Sequence, residues 1–522
     1  MEFQDCDVVI VGGGLSGLSA AFYLLKRDRG LKIKVLEAKG RVGGRIHSVQ
    51  LKSADGNVDF WDVGGEWVGK PQTHLRYLLR KFSLDTFNPQ TLHSNPDHVP
   101  DVPGASLLTR LDLMQFQWKL KKLKKKFDSI DLHSSVNALQ CDGMTFDTYK
   151  EDNLWTMVTA KEIVDAACRC MFGLLPTEMT LLYFLMYINS AGGLSVFTRP
   201  EEYTGRESRV KGGLLQLSTH LVHRVGKKNI LLDQPVTHII QSYDKVTVVT
   251  TNNLQIQCMR VILAIPPHQA AIINYNPALP SEKLNLLRNV PLAFIVKFIF
   301  SYDESFWKNR ISGQGKFGFQ CVLQDGENPV GIVYDGTSAR GNPALVGFLS
   351  TSRGPGMEQD PKVRLDAIVN LLEDVLGNNV RNYIDTMQMD WSKEPYNGGC
   401  FLKSLIPGTT KYFNQTLRER FDRIHFGGTE TGTVWCGLMN GAVQSGFRAA
   451  TEVLYHLRPQ IITSSDPEKN LLFEVEQPTD MGPLKVLGYI TVGAGLTVLF
   501  FTLFRGKRFA HVEQTLLKLV TT

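Results

Sequence analysis

Cysteine is scarce in this sequence. There are eight in 522 residues: Cys6, Cys141, Cys168, Cys170, Cys258, Cys321, Cys400 and Cys436. Their spacing fits neither a zinc site nor a disulfide framework. Cys168 and Cys170 form a CxC with no histidine close by, so no metal is expected, and reduced thiols facing the cytosol fit better. An excess of charge of one sign is lacking too. The net charge of +6 is mild for this length and comes without an aromatic-plus-basic recognition module, so nucleic acid is not an expected partner. The N-terminus, MEFQDCDVVIVGGG, has no basic region followed by a small-residue cleavage site, which argues against a secretory signal. No internal repeat of fixed period is visible, which argues against a repeat array.

What is there is the composition of a globular protein, with a hydrophobic fraction of 43% and a charged fraction of 21%. The length predicts two core units plus extras. Asp7 to Val11 is a β-branched run leading into glycines, Leu15 to Lys26 carries helical patterning, and Ile33 to Leu36 reads as a second strand. That is a strand, tight turn, helix and strand within about thirty residues, the βαβ unit.

Gly12, Gly14 and Gly17 fit G-x-G-x-x-G in the context the motif requires, after a strand and at the start of a helix. The first glycine permits the tight turn, the second lets the backbone approach a pyrophosphate, and the third allows close helix packing. The helix N-terminus then stabilises phosphate charge. Glu37 ends the second strand, where a carboxylate can accept hydrogen bonds from ribose hydroxyls. The sequence continues EAKGRVGGR, so Arg41, Gly43, Gly44 and Arg45 extend the fingerprint. The glycines let the chain pass close to a cofactor, and the arginines can neutralise phosphate.

This second motif resembles the flavin-containing amine oxidase superfamily. The likeness continues through WDVGGEWVG at 61–69, VPLAFIVKF at 290–298, YNGGCF at 396–401 and FGGTETGTVWCGLMNGAVQSGFRAA at 426–450, which look like monoamine oxidase in order and spacing. The resemblance implies FAD as cofactor, bonded covalently to Cys400 through the flavin 8α carbon. It implies that Lys297 holds a water near flavin N5. On the residues alone, an inward lysine in an apolar strand is costly without such a partner, and the alternative is a lysine on the polar face of an alternating strand. The resemblance also implies that Trp391 packs beside the flavin, that Gly428, Thr429 and Glu430 form a second flavin-contacting segment, and that Met439 follows the cage position on the adjoining turn.

The match fails at the substrate wall. The family places two tyrosines face to face before the flavin; the corresponding residues here are Phe401 and Leu438. The family's cavity glutamine falls near Arg206, and its gating position near Ile332. The cofactor machinery is intact while the substrate wall is altered.

The expected fold is α/β: a Rossmann-type FAD-binding domain with an inserted α+β substrate domain and a C-terminal transmembrane helix. The FAD domain is read as residues 1–87, 212–293 and 400–456, and the substrate domain as 88–211 and 294–399. Residues 457–485 read as a polar, Pro-containing linker. Val486 to Phe504 is nineteen residues without a charge. At about 1.5 Å per residue it spans roughly 28 Å, close to a bilayer's hydrocarbon thickness. Its glycines weaken a soluble helix but are common in membrane spans. The segment 505–522 is basic, with Arg505, Lys507, Arg508 and Lys518 against Glu513. With the resemblance, this points to a tail anchor in the mitochondrial outer membrane with the body on the cytosolic face, the endoplasmic reticulum being the alternative. The run KLKKLKKK at Lys119–Lys126 reads as a solvated helix face, with a membrane-surface contact as the sharper alternative.

The activity expected is oxidative deamination of a primary amine to an aldehyde, ammonia and hydrogen peroxide, with amine and oxygen as small-molecule partners, lipid around the C-terminal helix, and a homodimer compatible with the resemblance. The alternatives are an amino-acid or polyamine oxidase of the same superfamily, to which Arg206 would offer a carboxylate partner, and a low-turnover flavoprotein scaffold held at a membrane.

Overall fold

A computed structural model describes residues 4–88, 106–124, 136–155, 158–172, 174–190, 208–290, 292–293, 295–310, 320–323, 331–350, 360–402 and 416–462. The chain divides into a unit of Met1–Val475 and a C-terminal unit of Glu476–Thr522. Most of the expected linker, the apolar segment 486–504, the basic tail and Arg206 lie outside the described residues. Among the described residues no helix is long and apolar enough to cross a membrane.

The front of the chain forms the βαβ unit that its residues dictate. β1 (Val8–Val11) is four β-branched residues, all buried. The first ten residues of α1 (Leu15–Arg27) are all buried, mostly apolar with Ser16 and Ser19 among them, as a helix covered on all sides requires. β2 (Ile33–Leu36) runs parallel to β1. The hairpin β3 (Ser48–Lys52) and β4 (Val58–Asp62) follows. Three short strands from far along the chain complete the parallel sheet: β5 (Ile230–Leu231), β6 (Arg260–Leu263) and, near the end, Ile424–Phe426. The sheet order places β6 beside β1, with Ile424–Phe426 and β5 at the two edges. Such a sheet is buried on both faces, which is why its strands read as continuous apolar runs. A smaller mixed sheet, formed by Gln4–Asp5 and four strands between Val236 and Asn276, stands beside it.

A second, fully antiparallel sheet is built from β7 (Ile295–Ser301), β8 (Gln320–Leu323), β9 (Gly331–Asp335), β10 (Ala344–Ser350) and β11 (Asp385–Asp390), in the order β8-β9-β10-β7-β11. Taken by itself, IVKFIFSY at 295–302 reads as an alternating strand. All seven residues of β7 are instead buried. The reason is that both faces are covered. Phe298 and Phe300 pack into a cluster with Trp307, Ile368 and Leu372, and Ile299 packs on the other side with Leu51, Trp61 and Val346.

The segment between the sheets is helical. α2 (Leu107–Lys124) and four further helices ending at Ser190 share one apolar core. Within the basic run, Lys121 and Lys122 are exposed, and Lys119 donates from Nζ to the Asn153 carbonyl at 3.0 Å. α3 (Leu215–Val225) packs on α1. α4 (Pro361–Leu376) starts where its residues allow: Asp360 caps it, accepting from Lys362 N at 2.9 Å, and Pro361 stands at its first position. β12 (Cys400–Leu402) pairs with Leu292–Ala293, so Cys400 lies opposite Ala293. β13 is the edge strand Ile424–Phe426 introduced above. The last described helix of length, α5 (Met439–Leu457), runs against α1 at bare backbone distance. A Cβ on Gly446 would stand 2.3 Å from the Ser16 carbonyl oxygen.

Candidate active site

The glycine turn after β1 is tight enough to need its glycines. Gly12 has φ +107°, and a Cβ on Gly17 would stand 2.0 Å from the Gly12 carbonyl oxygen. Gly14, by contrast, has only the Gly44 Cα near its absent side chain, at 3.9 Å. The second glycine pair folds back onto this turn: Gly43 N donates to Gly13 O at 2.9 Å, with Gly43 and Gly44 both at positive φ. Glu37 lies directly after β2. Its Oε2 accepts from Gly13 N at 2.6 Å and its Oε1 from Lys39 N at 3.0 Å. Burial pushes its carboxyl above the ordinary value, with those N–H groups opposing.

The arginines expected to face phosphate are each held by a carboxylate. Arg41 Nη2 lies 2.5 Å from Glu394 Oε1, which also receives Lys39 Nζ at 2.7 Å. Burial acts to raise the Glu394 carboxyl, but the hydrogen bonds from Lys39 and Arg41 hold it below its ordinary value. Arg45 Nη1 lies 2.6 Å from Glu430 Oε1.

The second expected segment meets the first. Gly428, at φ +93°, donates from N to Ser16 Oγ at 2.9 Å. Thr429 Oγ1 donates to the Leu438 carbonyl at 2.6 Å. Leu438 is half-buried, stands at the start of α5 and donates from N to the Trp435 carbonyl at 3.0 Å, closing a turn in which Trp435 has φ +53°. Met439 places its sulfur against Gly65, where a Cβ would come within 2.8 Å of Sδ. Cys436, on the same turn, donates from Sγ to the Glu430 carbonyl, and burial with the nearby Glu430 charge pushes its thiol to about 12.

The segment 62–67 crosses from the hairpin toward the antiparallel sheet, and buried side chains fasten it. Trp391 Nε1 donates to Val63 O at 2.9 Å, and Lys297 Nζ donates to Gly64 O at 3.1 Å. Lys297 is fully buried in the middle of β7, pairing across to Phe348 and Met389, with Nζ 5.1 Å from the Phe348 ring centroid. Its Nζ also lies 3.2 Å from Glu66 Oε2, and the Tyr334 hydroxyl donates to Glu66 Oε1. Asp62, also buried, accepts from Ser48 Oγ at 2.5 Å and from Leu214 N. Burial raises it to about 6. Ahead of Cys400, Asn397 Nδ2 donates to Gly399 O at 2.6 Å and to Trp391 O at 3.3 Å, tying that glycine loop to the tryptophan. Backbone alone is described for Cys400 and Phe401 and for Ile332 on β9. Glu66, Tyr334 and Glu394 were not singled out in the sequence. A carboxylate inside the apolar WDVGGEWVG run is the one signal that could have found the first.

A dinucleotide fits these residues. α1 and α5 both begin without a side-chain cap, which leaves first-turn N–H groups for an anion. Glu430 Oε2 is buried with no hydrogen-bond partner among the described residues, an acceptor suited to a hydroxyl-rich group.

Comparison with known proteins agrees. Residues 15–454 match the family described as flavin containing amine oxidoreductase. The chain therefore belongs to that family, and it is a flavin-containing oxidoreductase that takes FAD. It is similar to flavin-containing amine oxidase A of Sus scrofa, with 32% identity covering 96% of each chain. It is similar also to flavin-containing amine oxidase B of Homo sapiens, with 30% identity covering 96% of this chain and 99% of that one. Among solved structures, wild-type putrescine oxidase bound to putrescine superposes with a TM-score of 0.76 at 24% identity, covering 87% of this chain and all of that one, a likeness of fold.

Proposed function

We propose that this chain is an FAD-dependent amine oxidase that converts primary amines to aldehyde, ammonia and hydrogen peroxide. One observation carries the reading. The Gly12–Gly17 turn and the Gly428–Glu430 segment converge on each other, through Gly428 N and Ser16 Oγ at 2.9 Å, within a chain that matches the family over residues 15–454. FAD, when bound, would supply the redox chemistry, a two-electron acceptor for the amine's α-carbon that oxygen can reoxidise. The side chains bind, orient and exclude water. Glu37 and the uncapped start of α1 suit ribose and pyrophosphate, Glu430 suits a hydroxyl, and Trp391 with Lys297 closes the wall around segment 62–67. Cys400 is the residue for a covalent bond to the flavin. Phe401 and Leu438 flank the amine's approach.

Residues 486–504 act as a tail anchor, with the body on the cytosolic face of the mitochondrial outer membrane. The support is a charge-free run of bilayer length with basic flanks.

The test is anaerobic mixing of the purified holoprotein with an amine panel and an amino-acid panel. Bleaching of the flavin by primary amines, followed by peroxide release on admitting oxygen, is the expected result. Bleaching by amino acids or polyamines alone moves the substrate class. No bleaching by any of them sinks the oxidase reading in favour of a low-turnover scaffold, for which the altered pair Phe401 and Leu438 is the motive.

A further inference from the structure

The ion pair between Lys297 and Glu66 is buried on both sides, with side chains 0% and 3% exposed. Such a pair is a poor stabiliser. Taking two charges out of water costs about as much as their attraction returns, and apolar residues of similar volume do as well or better. β7 could have carried a leucine at this position, between Phe348 and Met389. The charge therefore has work to do where it stands.

The geometry shows how the charge is held. An ammonium has three donors. One goes to Gly64 O at 3.1 Å, and Glu66 Oε2 stands 3.2 Å from Nζ as its ion-pair partner. The Phe348 ring lies below at 5.1 Å, at cation–π distance. Glu66 is itself fixed, because its other oxygen accepts from the Tyr334 hydroxyl, and the Tyr334 ring packs on Trp67 at 5.6 Å. Glu66 thus has the Lys297 ammonium against one oxygen and the Tyr334 hydroxyl on the other. Asp62 is a further charged group that bears on this cluster, and its own oxygens are taken by Ser48 and Leu214; Arg209 lies over the Trp67 ring at 5.4 Å.

We infer that Glu66 is a positioning residue for amine oxidation: it fixes the charge and orientation of Lys297 against segment 62–67, and Tyr334 fixes Glu66. This rests on the amine oxidase reading, since it gives Lys297 a place in that site. Glu66 touches neither substrate nor cofactor in this account; it acts through the lysine. Its effect must therefore vanish when the lysine is gone.

The experiment is a double-mutant cycle on the full-length holoprotein with Glu66→Gln, Lys297→Met and both together. In the wild-type background Glu66→Gln is expected to lower kcat by about tenfold or more with KM changed less than about threefold. It is also expected to shift the flavin visible band, and Glu66→Asp should recover most of the loss. In the Lys297→Met background the same change should alter kcat by less than about twofold and leave the band in place, because coupled residues are not additive. Equal losses in both backgrounds, or a Glu66→Gln protein like wild type, would overturn the inference. If Glu66→Gln alone fails to fold, the neutral pair Glu66→Gln/Lys297→Met should recover the thermal midpoint and flavin content. Failure of the double variant to recover them overturns the inference equally. The band and the thermal midpoint are read without any substrate. A wild-type protein that no amine reduces therefore condemns the oxidase reading without touching the coupling measurement.

Discussion

Arg45 and Glu430 stand 385 positions apart in sequence and meet at 2.6 Å. The contact joins the second glycine pair to the loop before α5, the two segments that flank the proposed cofactor site. Glu430 is almost wholly buried, and its second oxygen has no partner among the described residues. Replacing it by glutamine removes the charge-assisted bond and weakens the acceptor. A hydrogen bond to a charged group is worth about 1.5–3 kcal/mol. In a Cys400→Ala background, where retention reports affinity, Glu430→Gln should speed flavin loss by about tenfold or more. Retention equal to the parent would separate Glu430 from the cofactor.

Cys400 follows Gly398 and Gly399, both at positive φ, in a loop tied to Trp391 through Asn397. A covalent flavin should stay yellow in the acid-precipitated pellet of the wild type and be released from Cys400→Ala. Free flavin in the wild-type supernatant is the opposing result.

Leu438 keeps apolar volume at the start of α5 but offers no aromatic face to an amine. A cation–π or aromatic-dipole contribution is worth roughly 0.5–2 kcal/mol. Leu438→Tyr should raise turnover of arylalkylamines by about threefold to thirtyfold. Steady-state peroxide release reads the change, and no gain shows that this position does not face the amine.

Deleting residues 484–522 should give a protein that leaves the membrane fraction and keeps its flavin. If it stays with the membrane, the contact is elsewhere, and the lysines at the end of α2 are the next segment to change.

Acid should loosen the fold through His74. This side chain is 1% exposed, and burial lowers it from 6.5 to about 4. Between those values the unfolded chain binds the proton more readily than the folded one. Stability from this group is therefore full above about pH 6.5 and is lost as pH falls toward about 4, by about 3 kcal/mol in all. Asp62 works in the other direction. Burial raises it to about 6, so its contribution falls as pH rises through roughly 4 to 6. The comparison that isolates His74 is the thermal midpoint from pH 7 to pH 5 in wild type and His74→Leu. The wild type should fall further. Parallel curves would show that His74 is not the group responsible.

Much of the cofactor half was legible in the chain. The VVIV strand, the glycine spacing and Ile33–Leu36 are local signals, because a tight turn and a buried parallel strand each impose their residues within a few positions. The antiparallel sheet was legible only in part. β7 reads as alternating from its polar lysine and serine, yet every position is buried, because α4 and its neighbours cover one face and the β3–β4 hairpin the other. No local pattern carries that, since much of the cover comes from α4 and from the β3–β4 hairpin, which lie far from β7 in the chain.

The sequence alone determined the family, the dinucleotide turn and a bilayer-length apolar run, because each is written in contiguous residues whose chemistry does not wait on the rest of the chain. Tertiary structure alone decided the partners of the charges. Arg41 and Arg45, expected to neutralise phosphate, are held by Glu394 and Glu430; Lys297, expected to hold a water, is paired with Glu66. The physical reason is distance along the chain: a buried charge must find its counter-charge in space, and these partners lie 231 to 385 positions away, where no spacing rule reaches.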